Sequence, residues 1–127
     1  MERRVVILML VAVFLLPGLA RAVTDDDFLV KTTQNLINLC TAPDDDPRHG
    51  KAIHFCHGYL IGAYDYHVTE NSGPNGKLMV CPPDPAPSRN TAIKMFVEWA
   101  KARPQYMGEK PVDTEFRFLI ETWPCKK

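Results

Sequence analysis

The sequence has no excess of charge of either sign, because 15 Lys and Arg residues balance 15 Asp and Glu residues. A protein that binds nucleic acid or an anionic membrane surface through its charge carries a basic excess. We therefore expect neither partner. The sequence also has no internal repeat and no low-complexity segment, and its length suits a single folded domain.

Motifs of catalysis and metal binding are missing as well. The sequence contains no H-E-x-x-H, no C-x-x-C and no G-x-S-x-G pattern. His54 and His57 fall on one helix face, but two local ligands are fewer than a zinc site needs. Asp65 could pair with a histidine as acid and base, although a lone carboxylate is more often structural. We predict a protein that is not an enzyme and binds no metal or cofactor.

One long apolar run is present, at residues 5–16, after a short basic start. Ala20 and Ala22 then supply the small residues that signal peptidase recognises at its −3 and −1 positions. A membrane-spanning helix needs about 20 apolar residues, so the run predicts a signal peptide. We predict cleavage after Ala22, which leaves a mature domain of residues 23–127 that makes no membrane contact.

Prolines and glycines divide the mature chain into four segments with apolar residues at helical spacing. They predict an all-α domain like a small four-helix bundle. The second helix is apolar around most of its circumference, so we expect it to be the central, buried helix or to lie against a second copy. In the fourth, Phe116, Leu119, Ile120 and Trp123 form the predicted buried stripe. The four helices are predicted at about 26–40, 48–67, 88–103 and 111–123.

Four cysteines in a short exported chain predict two disulfides. Short connections make consecutive helices antiparallel neighbours. Cys40 and Cys56 then lie near one end of the bundle, and Cys81 and Cys125 lie near the other. Because a disulfide joins Cα atoms less than about 7 Å apart, we predict the pairs Cys40–Cys56 and Cys81–Cys125.

Two features point to contact surfaces. Gly58 and Gly62 form a small-x-x-x-small step on the second helix, with Asp65 on the same side, and each mid-helix glycine costs about 1 kcal/mol relative to alanine. Close packing within the domain or a homodimer seam would offset that cost. Loops on a rigid scaffold usually carry recognition, and the turn-rich segment 71–77 supplies candidate partner-binding residues: Asn71, Ser72, Pro74, Asn75 and Lys77.

Five short motifs in order resemble those of one protein family. They are Asn35-Leu36-Ile37-Asn38-Leu39-Cys40, then Phe55-Cys56-His57-Gly58-Tyr59-Leu60-Ile61-Gly62 followed by Asp65, then Val80-Cys81-Pro82-Pro83, Phe96-Val97-Glu98-Trp99 to Arg103-Pro104, and Trp123-Pro124-Cys125. Together they resemble the Rap1a/Tai family of type VI secretion immunity proteins. The resemblance spans about residues 27–125.

The resemblance implies a periplasmic, helical, disulfide-bonded domain that often forms homodimers. It also implies a partner, a peptidoglycan-cleaving amidase effector that the protein binds and blocks. An inhibitor of that kind needs a shaped surface and no catalytic group. The alternative is a periplasmic stress or chaperone-like helical protein without a dedicated toxin partner, in which the four histidines would confer pH sensitivity.

Overall fold

The computed structural model describes residues 21–126, and this part of the chain contains four α-helices and no β-strand. The predicted all-α fold is confirmed. The apolar run at residues 5–16 lies outside the described residues. None of the described helices is long and apolar enough to cross a membrane. The helices are α1 (Thr33–Cys40), α2 (His49–Asn71), α3 (Arg89–Lys101) and α4 (Pro111–Thr122), with short 3-10 helices at Asp25–Leu29 and Pro104–Tyr106.

The first predicted helix is two separate elements. The 3-10 helix ends at Leu29, and Val30 follows with a left-handed backbone (φ 45°), which a β-branched residue rarely adopts. A new helix then begins directly after Thr32, whose side-chain hydroxyl accepts a hydrogen bond from the Asn35 backbone N–H. In return, the Asn35 side-chain oxygen accepts a hydrogen bond from the Thr32 backbone N–H (3.1 Å). This reciprocal cap makes Thr32 a stronger helix start than the acidic residues before it.

Buried hydrogen bonds hold the 3-10 helix against α1. Asp27 is almost fully buried and accepts hydrogen bonds from the side chains of Asn38 (2.8 Å) and Asn35 (3.2 Å). Its other oxygen accepts from the Thr24 backbone N–H (2.9 Å). Burial acts to raise the pKa of Asp27, but these hydrogen bonds outweigh it and hold the pKa below its ordinary value.

The central helix is α1, so the first of the two alternatives for α2, a central and buried position, is wrong, and contact with a second copy stays a prediction. The short α1 packs against α2, α3 and α4. Leu36 and Leu39 of α1 are completely buried. By contrast, α2 buries one side and leaves Phe55 and Tyr66 exposed on the other. The remaining core is apolar and comes from all four helices and the segments beside them: Val23, Ile37, Ala42, Ala52, Cys56, Leu60, Val80, Ile93, Phe96, Ala100, Phe118 and Leu119.

Helix α4 is rotated from its predicted orientation. Its buried residues include Thr114, Glu115, Phe118 and Leu119, whereas Ile120 of the predicted stripe is 39% exposed. The periodicity was compatible with either face, because apolar and polar residues are interspersed along the helix. A threonine and a glutamate therefore point into the core.

A buried threonine pair joins the start of α1 to α4. The hydroxyls of Thr33 and Thr114 lie 2.6 Å apart, and both residues are completely buried. The Thr33 hydroxyl also donates to the Glu109 carbonyl (3.1 Å), and the Thr33 backbone N–H donates to the same oxygen (2.8 Å). These bonds satisfy polar groups that would otherwise be costly to bury.

Substituting Thr33→Val is expected to lower the free energy of unfolding by about 1–3 kcal/mol, because the Thr114 hydroxyl loses its short buried hydrogen bond and keeps only the long one to the Tyr106 carbonyl (3.5 Å). The double variant Thr33→Val/Thr114→Val should cost less than the sum of the two single changes, since it removes both members of the pair. Urea unfolding measures all three values, with Thr69→Val on the exposed surface of α2 as the control. Strict additivity would contradict the proposed coupling.

Both predicted disulfides are confirmed. Cys40 is bonded to Cys56, with Cα atoms 5.2 Å apart, and this bond joins the end of α1 to α2. Cys81 is bonded to Cys125, with Cα atoms 4.9 Å apart. An isolated antiparallel bridge pairs Val80 with Pro124, and the Cys81 backbone N–H donates to the Trp123 carbonyl (2.8 Å).

Candidate partner-binding surface

An exposed stripe of aromatic and small residues follows the outer side of α2. Phe55, Gly58, Gly62 and Tyr66 are all exposed, and their spacing of three or four residues places them on one helix face. Phe55 also packs edge-on against Phe28, with ring centroids 5.7 Å apart. Two aromatic side chains thus flank a glycine surface on which another backbone could approach closely.

The packing explanation for these glycines is wrong within the described part of the chain. A Cβ atom built on Gly58 or Gly62 meets no atom within 4 Å beyond the helix itself. The homodimer seam therefore stays a prediction. Asp65, which was grouped with the glycines, is exposed and lines the rim of a cavity between helices.

Replacing both glycines by alanine is expected to stabilise the isolated domain, by about 0.5–1 kcal/mol per site, because alanine favours the helix and the new methyl groups enter open space. Chemical unfolding at low protein concentration checks this. Gly76→Ala is the control with the opposite expected effect. It should destabilise the domain, since a Cβ there would clash with the Asn71 backbone. Destabilisation by the α2 substitutions would mean that another chain segment already covers the glycines.

The predicted binding loop, residues 71–77, begins with residues that are hydrogen-bonded to the end of α2 and continues into an exposed turn. Asn71 is the last residue of α2, and its side-chain amide donates to the His67 carbonyl (2.8 Å), while the Ser72 hydroxyl donates to the Thr69 carbonyl (3.0 Å). A turn then closes between Gly73 and Gly76. The candidates exposed on this turn are Pro74, Asn75 and Lys77.

This loop has an apolar end that was not predicted from the sequence. Leu78 and Met79 are 37% and 49% exposed, directly after the predicted contact residues. The buried His67 fixes their position, because its Nε2 accepts a hydrogen bond from the Met79 backbone N–H (3.3 Å). The signal was present as an apolar Leu78-Met79-Val80 run, but a linear pattern does not distinguish the buried Val80 from its exposed neighbours.

His54 and His57, the predicted pair on one face of α2, are not joined by further metal ligands among the described residues. His54 is exposed and His57 is half-buried. Burial lowers the pKa of His57, and the nearby charges of Arg89 and His54 act in the same direction. Among residues 21–126, no group of three or more His, Cys, Asp and Glu side chains lies close enough to hold a metal ion.

A second surface feature, also missed in the sequence, is a cavity between α2, α3 and α4. Its volume is about 350 Å³, and its lining is mostly apolar. Glu115 contributes to this lining although the residue is only 3% exposed. Burial raises the pKa of Glu115 to about 9, so its carboxyl group is protonated at neutral pH. In the sequence, Glu115 lies three and four residues before Phe118 and Leu119. This helical spacing was the available signal that the three residues share one face.

Three of the quoted motifs have structural roles in the fold. Val80-Cys81 and Trp123-Pro124-Cys125 form the paired backbone and disulfide described above. In the Arg103-Pro104 motif, the Arg103 guanidinium lies over the Trp99 ring (4.1 Å) and pairs with Glu121 (2.9 Å). The motif on α2 also contributes to the exposed stripe, through Phe55, Gly58 and Gly62.

The fold and surface define a small, disulfide-bonded helical domain with exposed contact surfaces. A family model described as Rap1a immunity proteins matches residues 32–125, and the chain belongs to this family. Membership of this family supports a role as an immunity protein, and such a role implies a toxin effector as the binding partner. Comparisons with curated proteins and with solved structures found no match.

Proposed function

We propose that this immunity protein binds and inhibits a peptidoglycan-degrading amidase effector of a type VI secretion system in the periplasm. Family membership carries the proposal. The two disulfides support the location, because such bonds form and persist in oxidising compartments. An exposed loop with an apolar flank supports a binding role, since apolar surface buried at an interface contributes affinity.

Export would end with removal of residues 1–22. The contacts of Val23 support cleavage at this point. Val23 is buried, its backbone nitrogen donates to Asp46 Oδ2 (2.7 Å), and its carbonyl accepts from Arg48 Nη1 (2.9 Å). Cleavage after Ala22 would turn this nitrogen into an ammonium group facing a carboxylate, which strengthens the hydrogen bond.

The toxin-contact surface is proposed to include Pro74, Asn75 and Lys77 together with Leu78 and Met79. All five are exposed. The hydrogen bonds of Asn71 and His67 anchor the ends of this surface, so less conformational entropy is lost when a partner binds.

A homodimer through the α2 stripe is proposed as the resting state. Close approach at Gly58 and Gly62 would bury Phe55 and Tyr66 of both copies. Gly62→Arg should convert the dimer to a monomer in light scattering, whereas Asn90→Arg on the exposed start of α3 should not. A wild-type protein that is monomeric at all concentrations would contradict this part of the proposal.

The function is tested in cells that express a candidate peptidoglycan amidase effector directed to the periplasm. The full chain should restore growth, and a chain lacking residues 1–22 should not. Substituting Pro74, Asn75 and Lys77 with serine should weaken protection, whereas alanine at the exposed Asn90, Lys94 and Lys101 should preserve it. Equal protection by the exported and unexported chains would contradict the proposed location.

The stress or chaperone alternative makes a different prediction in the same purified protein. It requires suppression of aggregation of unrelated proteins at low pH. Light scattering of a model client with and without the protein measures this effect. Protection of clients without any effect on the amidase would replace the immunity proposal with the chaperone function.

A further inference from the structure

The cavity between α2, α3 and α4 has the construction of a small-ligand site. Its volume of about 350 Å³ lies within the range of about 300–1,000 Å³ that small-molecule pockets occupy. The walls come from three helices and from the proline-rich connector, through Pro82, Ala86 and Pro87. The Cys81–Cys125 disulfide fixes the start of this connector beside the end of α4, so the pocket is largely pre-formed.

A carboxyl group without a partner lies in this apolar setting. Glu115 is only 3% exposed. Its Oε2 atom has no hydrogen-bond partner among the described residues. Burial is the cause of its raised pKa. Buried polar atoms are nearly always hydrogen-bonded in folded proteins, and an unpaired atom lowers stability. A ligand that supplies the missing partner would remove this cost.

The other lining side chains indicate the charge of that ligand. Tyr64, Phe96, Phe118 and Trp123 contribute to the walls. Aromatic ring faces attract cations and repel anions because of the ring quadrupole. Asp65 adds a second carboxylate at the rim, and the cationic residue of the lining, Arg89, is exposed to solvent, where its repulsion is screened.

We propose that this cavity binds a small organic amine, with its ammonium group on the Glu115 carboxylate and its apolar body against the aromatic walls. A neutral alcohol would gain the apolar contacts but no ion pair. A carboxylate ligand would face both the ring quadrupoles and the acidic side chains. The site is separate from the toxin-contact loop, so the proposal does not depend on immunity function.

Binding at neutral pH includes a proton step. Without a ligand, the Glu115 carboxyl group carries a proton. Pairing with an ammonium group favours the ionised carboxylate. The Glu115 O–H bond therefore breaks as the ion pair forms, and the proton passes to the buffer. One proton is released for each amine bound. Asp65, Arg89, Tyr64 and Tyr59 are the other titratable groups around this carboxyl.

The test uses three probes of similar size: 2-phenylethylamine, 2-phenylethanol and 3-phenylpropionate. Calorimetric titration of the oxidised protein should show the preference for the amine over the alcohol rising about tenfold per pH unit between pH 6 and 8, because each bound amine displaces the Glu115 proton. Titrations in buffers of different ionisation enthalpy should show release of about one proton per amine. NMR shifts of the Trp123 indole should move on amine addition.

Two variants identify the site. Glu115→Gln should abolish the preference for the amine and the proton release while preserving alcohol binding. Ala92→Phe, which fills the cavity from α3, should abolish binding of both probes without touching the carboxyl group. Equal affinity for amine and alcohol, unchanged amine binding by Glu115→Gln, or no saturable amine binding would each overturn the proposal. So would a result in which Glu115→Gln weakens only toxin binding, since a protein lysine would then be the occupant.

Discussion

Replacing Glu115 by glutamine is expected to stabilise the protein at pH 8 and to change its stability little at pH 4. The folded protein holds the pKa of Glu115 at about 9, compared with an ordinary value of 4.5. Between these values the folded state binds a proton that the unfolded state has released. Stability from this group is therefore complete below pH 4.5 and is lost as the pH rises towards 9.

The expected size follows from the width of this window. Each pH unit of unequal protonation corresponds to about 1.4 kcal/mol, so the loss reaches about 3 kcal/mol by pH 7. Glutamine has the same shape and no charge, and it removes this loss. Thermal or urea unfolding at several pH values measures it. Asp27 and Asp46, whose pKa values are lowered, affect stability in the acid range below this window.

Glu70→Gln serves as the matched control, because Glu70 is exposed on α2. It should leave the unfolding curve nearly unchanged at every pH. If Glu115→Gln destabilises the protein at pH 8, or if the wild-type slope between pH 5 and 8 persists in the variant, the carboxyl group is not held neutral in the folded protein. The cavity would then contain an ionised and partnered group, contrary to the structure.

Removal of the Cys81–Cys125 disulfide, by alanine at both positions, is expected to lower the free energy of unfolding by about 4 kcal/mol in the chain-entropy model. The bond closes a segment with a sequence separation of 44 residues, and its loss frees the unfolded chain. Small domains have a total stability of only about 5–15 kcal/mol, so the variant should be close to unfolding at physiological temperature.

Denaturant unfolding under oxidising conditions measures this loss, with far-UV circular dichroism to confirm that the helices remain at low denaturant. The local consequence is separation of Val80 from Pro124, which now pair through the backbone. Reduction of the wild-type protein should be more destabilising than this variant, because it also opens Cys40–Cys56. A loss below about 1 kcal/mol would contradict a stabilising role for the closed loop.

The sequence predicted those features that depend on local chemistry. The third helix, predicted at about 88–103, extends from Arg89 to Lys101. The Ser88 side chain caps its start by accepting a hydrogen bond from the Thr91 backbone N–H (3.2 Å), and Pro104 follows its end. The cysteine pairing followed from helix direction and connection length. In each case one residue type imposes a geometric constraint that needs no knowledge of the complete fold.

Features that depend on tertiary packing were not predictable in the same way. The break at Val30 and the new start at Thr32 require a positive φ and a reciprocal cap within a segment whose apolar spacing looks continuous. The burial of Glu115 depends on how α4 turns against α1 and α3. The apolar residues around α2 were compatible with a central helix, but exposed apolar residues also occur on surfaces that bind a partner.

Inhibition of the amidase effector by the purified protein tests the central claim most directly. The oxidised protein is titrated into a candidate peptidoglycan amidase effector, and release of peptidoglycan fragments is measured together with complex formation. The account predicts a stable complex and complete inhibition at stoichiometric protein, weakened by the Pro74, Asn75 and Lys77 substitutions. An amidase that forms no complex and retains full activity in excess protein would contradict it.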